Sequence, residues 1–112
     1  MRMWMVDPKL MCRKHLLGEH VELHMILGCI EKDKSLKGYE LTGLIDASQL
    51  PGRHQVIVEE MEHRGYKHKS HMQPSEKVLK YIVSAVGSIE VSKSIADLKA
   101  RCTECFKDKK EK

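Results

Sequence analysis

Four windows of this chain repeat apolar residues at helical spacing, and no window sustains the period-two alternation that a sheet of several strands needs. From Cys12 to Ile30, Leu16, Leu23, Leu27 and Ile30 follow at intervals of seven, four and three, flanked by Val21 and Ile26. A polar stretch from Glu31 to Gly43 and a short apolar piece at Leu44 and Ile45 come next, and Pro51 and Gly52 mark a loop. A second helix is predicted from Arg53 to Arg64 on Val56, Ile57, Val58 and Met61, with Gly65 as its C-terminal stop. Only Gln55 to Val58 reads equally well as strand.

The segment from Tyr66 to Gln73 mixes Lys67, His68, Lys69 and His71 without apolar periodicity and reads as a basic connecting loop. Pro74, Ser75 and Glu76 begin a third helix that runs through Val78, Leu79, Ile82, Val83 and Val86 to Gly87. A last helix from Ser92 to Phe106 uses Ile95, Leu98 and Cys102, and Lys107 to Lys112 form a frayed tail. The length of 112 residues allows one core. The expected fold is therefore all-α: a compact single-domain helical bundle over residues 1–112, preceded by an extended, strand-like arm from Arg2 to Val6.

Composition narrows the function classes. With 41% hydrophobic and 32% charged residues the chain is too apolar for full disorder. Aromatic residues are only 4%, which argues against a platform that stacks a row of single-stranded bases. Twenty Lys and Arg against sixteen Asp and Glu give a net charge of +4, with seven His in reserve, a mild bias toward a polyanionic partner that charge alone does not decide. No apolar run approaches the roughly 18 residues of a membrane span, and no secretory h-region is present. These features, with four cysteines, predict a cytoplasmic monomer with free thiols, whose start Met is the true N-terminus.

Two constellations carry candidate chemistry. On the first helix His15, Glu19 and Glu22 stand at i, i+4 and i+7, a polar stripe beside the leucine stripe that either lines a cleft or is a solvated face. Cys102-x-x-Cys105 invites a metal or redox reading. On a helix its thiols stand at i and i+3, only Cys12 and Cys29 are left to complete a four-thiolate site, and neither forms a second CxxC. Free, partly buried thiols and no metal are the expectation, with a small helical zinc module as the less favoured alternative.

The opening Met1-Arg2-Met3-Trp4 with Asp7-Pro8-Lys9, followed by His15-Leu16-x-x-Glu19-x-x-Glu22-Leu23 and Gly28, resembles the phage and bacterial pyrimidine-dimer DNA glycosylases of the endonuclease V type. A second block, Arg53-His54-Gln55-Val56-Ile57-Val58-Glu59-Glu60-Met61 closing on Arg64-Gly65-Tyr66, resembles that family's second long helix. The two blocks cover roughly the first two thirds of the chain in the family's order.

The resemblance implies a glycosylase with AP-lyase activity on double-stranded DNA carrying a damaged or modified pyrimidine, with no cofactor. The N-terminal α-amine attacks C1′, the base leaves, an imine forms and β-elimination cuts the strand on the 3′ side. The family's spacing from amine-bearing residue to catalytic glutamate leads back from Glu22 to Met1. Arg2 is too bulky for ordinary removal of the start Met, so Met1 is expected to be retained as the nucleophile. An α-amine suits the role because it titrates near pH 7.7–8.0, well below lysine, so more of it is neutral at physiological pH.

The same resemblance implies that Arg2 and His15 bind DNA near the lesion and that Arg53, His54, Arg64, Lys67 and Lys69 contact phosphates. The chain departs from the phage enzyme where arginines flank the glutamate, here Val21 and Met25, and in the aromatic basic tail, which Lys107 to Lys112 do not reproduce. Two alternatives stay open: a glycosylase for another modified base, and a non-catalytic DNA-binding or interaction protein on the same scaffold.

Overall fold

The structure is a computed structural model and describes residues 1–68, 72–85 and 87–106. Five helices, α1 (Arg13–Glu31), α2 (Lys37–Leu41), α3 (Leu50–His63), α4 (Glu76–Val83) and α5 (Val91–Arg101), pack into an all-α domain with no strand among the described residues. Short 3-10 turns at Pro8–Leu10 and Ala47–Gln49 precede α1 and α3. No helix among the described residues is long and apolar enough to cross a membrane.

Helix α1 is the spine, with α3 and α4 packed against it. It buries Leu16, Leu23, Ile26 and Ile30, whereas Val21 faces solvent and Leu27 is only half-buried. The buried stripe therefore runs through positions 16, 19, 20, 23, 26 and 30, and two of its members are Glu19 and His20. Helix α3 shows the same pattern: Leu50, Ile57, Val58 and Met61 are buried together with Arg53 and His54, while Val56 is exposed.

Local chemistry sets the helix ends. Helix α3 begins at Leu50, ahead of the expected Arg53, because Pro51 sits in the first turn, where its missing N–H has no intrahelical role. It closes on Gly65 at φ 83°, where the Gly65 amide donates to the Glu62 carbonyl and the Tyr66 amide to the Met61 carbonyl. The same closure on Gly43 at φ 77° ends the short helix α2, which falls inside a stretch expected to be irregular. Helix α4 starts where expected, its Ser75 hydroxyl accepting from the Val78 amide, but stops at Val83, before the expected Gly87. Helix α5 stops at Arg101, so Cys102 is extended and Cys105 lies in a turn, not on a helix as expected.

The N-terminal arm joins no ladder. Met3, Trp4 and Val6 are buried, the Met3 amide donates to the Leu44 carbonyl at 2.7 Å, and Met5 takes φ 58° to swing the chain between two buried neighbours. The far end of the chain meets the same region, since the Phe106 amide donates to the Leu10 carbonyl at 2.6 Å. The predicted tail at Lys107–Lys112 lies outside the described residues.

Candidate active site at the N-terminal arm

Burial of Met3 and Trp4 lays the arm across the middle of α1 and brings residue 2 to Glu22. The Arg2 amide donates to Glu22 Oε1 at 2.7 Å. Glu22 is half-buried, and its carboxylate sits one residue from the Met1 α-amine. Arg2 turns its guanidinium away, stacking it 3.8 Å from the Trp4 ring centre with Asp97 Oδ2 and Ser94 Oγ of α5 each at 3.4 Å. A carboxylate fixed beside a chain-terminal amine can hold a proton taken from the reacting centre and stabilise positive charge developing there.

His15 lies two turns before Glu22 on α1, edge-on to Trp4. Its Nδ1 stands 3.2 Å from Cys12 Sγ and 3.6 Å from Cys105 Sγ. Burial, then Lys14 and Arg101, hold its imidazole below its ordinary value, opposed by Glu22. Burial pushes the neighbouring Cys105 thiol up to about 12, and the Cys105 amide draws the Cys102 thiol below its ordinary value.

Three of the remaining residues expected to contact DNA, Arg53, His54 and Arg64, make their contacts elsewhere in the fold. Arg53 is inside the protein: Nε and Nη2 donate to the two oxygens of Glu19 at 2.7 and 2.9 Å, with the two side chains only 5% and 0% exposed. That guanidinium has no face turned to a phosphate, because position 53 lies on the buried stripe of α3. Arg64 donates to Glu60 and to the carbonyls of Pro8 and Met11, clasping the turn ahead of α1. Lys67 is exposed, and Lys69 lies outside the described residues.

His54 is buried against His20, His24 and His68. His24 Nε2 and His54 Nε2 are 3.1 Å apart, and one ligand atom from each of the four imidazoles lies within 4.8 Å of the others, close enough to share one divalent ion. Burial, with His24 and His68, lowers His20 to about 4. Sequence reasoning missed this cluster and the Glu19–Arg53 pair: Glu19, His20, Arg53 and His54 fall on the apolar periods of their own helices, a partial signal for burial, but the meeting of those two faces is seen only in the fold. An open hollow beside Pro8, Lys9 and Val56 shares no residue with the Met1–Glu22 site.

Fold and site together define a small all-α domain whose N-terminal arm is tied at the Arg2 amide to a helical carboxylate. Residues 1–74 match the family described as pyrimidine dimer DNA glycosylase, and the chain belongs to that family. No curated protein matches the chain, and no solved structure does. Helices α4 and α5 and the Cys102–Cys105 turn lie beyond the matched residues.

Proposed function

We propose that the protein is a DNA glycosylase with AP-lyase activity that acts on a damaged pyrimidine in duplex DNA, with the Met1 α-amine as nucleophile and Glu22 as the catalytic carboxylate. The observation that carries this reading is the 2.7 Å bond from the Arg2 amide to Glu22, one residue along the chain from the α-amine, in a chain of this family.

The neutral amine attacks C1′ and the C1′–N bond to the base breaks, the base leaving with its electron pair and taking up a proton; the attached amine then loses a proton and the C1′–O4′ bond opens, O4′ taking up a proton, so that C1′ becomes an iminium carbon. The resulting iminium is an electron sink. Glu22 stabilises its positive charge and takes the C2′ proton, the C3′–O bond breaks, and the 3′ phosphate departs. Water then hydrolyses the unsaturated imine and frees the amine.

Among the described residues expected from the sequence, exposed Lys67 is the cation best placed for a phosphate contact, because Arg2, Arg53 and Arg64 are engaged within the fold. Val21 and Met25, 56% and 50% exposed on either side of Glu22, offer the DNA an apolar edge in place of charge.

Borohydride trapping on ultraviolet-irradiated, abasic and modified-base duplexes tests the reading. A covalent adduct is expected, and its peptide mass should place the attachment at Met1. Glu22→Gln should keep binding and lower cleavage by orders of magnitude. One extra residue ahead of Met1 should abolish trapping. Salt-sensitive binding without any adduct would instead identify a non-catalytic DNA-binding protein on this scaffold. Equal cleavage by the extended and unextended proteins would remove Met1 as nucleophile.

A further inference from the structure

We infer that Cys12, His15, Cys102 and Cys105 form a structural zinc(II) site that fastens the start of α1 to the end of α5. The four come from two short pairs with the same spacing, Cys12-x-x-His15 and Cys102-x-x-Cys105. Cys12 is the extended residue capping α1, and His15 lies in that helix's first turn. Cys102 is the extended residue that follows α5, and Cys105 is buried in the turn beyond it.

One ligand atom from each residue lies within 4.8 Å of all the others. A tetrahedral zinc with Zn–S of about 2.3 Å and Zn–N of about 2.0–2.1 Å sets its ligand atoms about 3.8 Å apart for two sulfurs and about 3.6 Å apart for sulfur and nitrogen. The measured separations are 3.8 Å for Cys12 Sγ to Cys102 Sγ, 3.6 Å for Cys105 Sγ to His15 Nδ1, and 3.2 Å for Cys12 Sγ to His15 Nδ1. A disulfide requires about 2.04 Å, and all four cysteines are free thiols.

The surroundings suit thiolates. The Cys12 amide donates to Cys105 Sγ at 3.2 Å and the Glu104 amide to Cys102 Sγ at 3.3 Å, the kind of N–H···S contact that orients and stabilises metal-bound sulfur. Lys14 and Arg101 act electrostatically on His15 and supply positive charge against the single net negative charge of Zn²⁺ with three thiolates. Binding is balanced by release of the three thiol protons. Three sulfurs and one nitrogen, with no carboxylate and with Cys105 at 5% exposure, make a closed tetrahedral set that favours zinc over harder cations.

The site joins the two parts of the chain. Cys12 and His15 lie within the family-matched residues, whereas Cys102 and Cys105 lie beyond them. Trp4 rests edge-on to His15 with Arg101 above its ring, so the ion would brace the arm that carries Met1 and Arg2.

Cobalt(II) added to reduced, metal-free protein tests the assignment. Near-ultraviolet thiolate-to-cobalt charge transfer and visible tetrahedral bands should saturate at one equivalent of thiolate-bound metal and be displaced by zinc. Cys102→Ser combined with Cys105→Ser should remove the bands, His15→Cys should retain metal and strengthen the charge transfer, and His20→Ala, in the separate imidazole cluster, should leave it unchanged. Thiol titration of the unmutated protein does not depend on a variant folding: zinc should leave one reactive cysteine, Cys29, of the four. Absence of charge transfer, or four equally reactive thiols with zinc present, would overturn the site.

Discussion

Glu19 and Arg53 meet where α1 packs on α3, and their charges are almost wholly removed from water. Withdrawing two ions from solvent consumes much of their mutual attraction, so the pair adds little by itself, yet removing one partner strands the other. Arg53→Met is expected to cost about 3–5 kcal/mol in urea unfolding, and adding Glu19→Leu should recover most of it. His20 makes a different demand. Burial holds its folded-state pKa at about 4 against 6.5 when unfolded, so between those values the unfolded chain binds more protons. Stability is full above pH 6.5 and should fall as pH drops toward about 4, measured by urea midpoints in EDTA. His20→Leu should flatten that slope.

Among the elements, the boundaries of α4 and of the passage to α5 are set by two small residues. The Ser75 hydroxyl satisfies the Val78 amide, and Ser75→Ala should destabilise by about 1 kcal/mol. A Cβ at Gly87 would lie 2.1 Å from the Ile45 carbonyl oxygen, so Gly87→Ala forces the backbone apart and should lower the thermal midpoint more than the Ser75 change does. The long helices were legible because their apolar periods and their glycine and Ser-Glu punctuation agree with the core they build. Helix α2 was not, since five residues with Gly38 inside carry no period, and its ending depends on Gly43 together with Met3 bonding to Leu44. For the candidate site, the approach of the N-terminal arm to Glu22 was readable only through a family resemblance. The imidazole cluster and the Cys3His set depend on which helix faces meet and on α5 ending at Arg101, neither of which spacing within one helix reveals.

At the scale of the whole molecule, the family-matched segment ends at residue 74, yet the packing does not divide there. Helix α4 packs on α1 and buries Val78, and α5 buries Leu98 in the same core. Asp97 and Ser94 of α5 stand beside the Arg2 guanidinium, and the Phe106 amide caps the Leu10 carbonyl. Residues 75–106 therefore complete the core and position the arm on which the proposed nucleophile rides. A fragment of residues 1–74 exposes the α1 face that α4 covers and leaves Arg2 without its α5 partners. It is expected to lack a cooperative thermal transition and to be cleaved rapidly by protease, while a chain ending after Phe106 should match the full protein in both measurements. If the fragment melted cooperatively and trapped on abasic DNA, the arm would be organised by α1 and α3 alone, and the contacts from α5 would have no part in holding it.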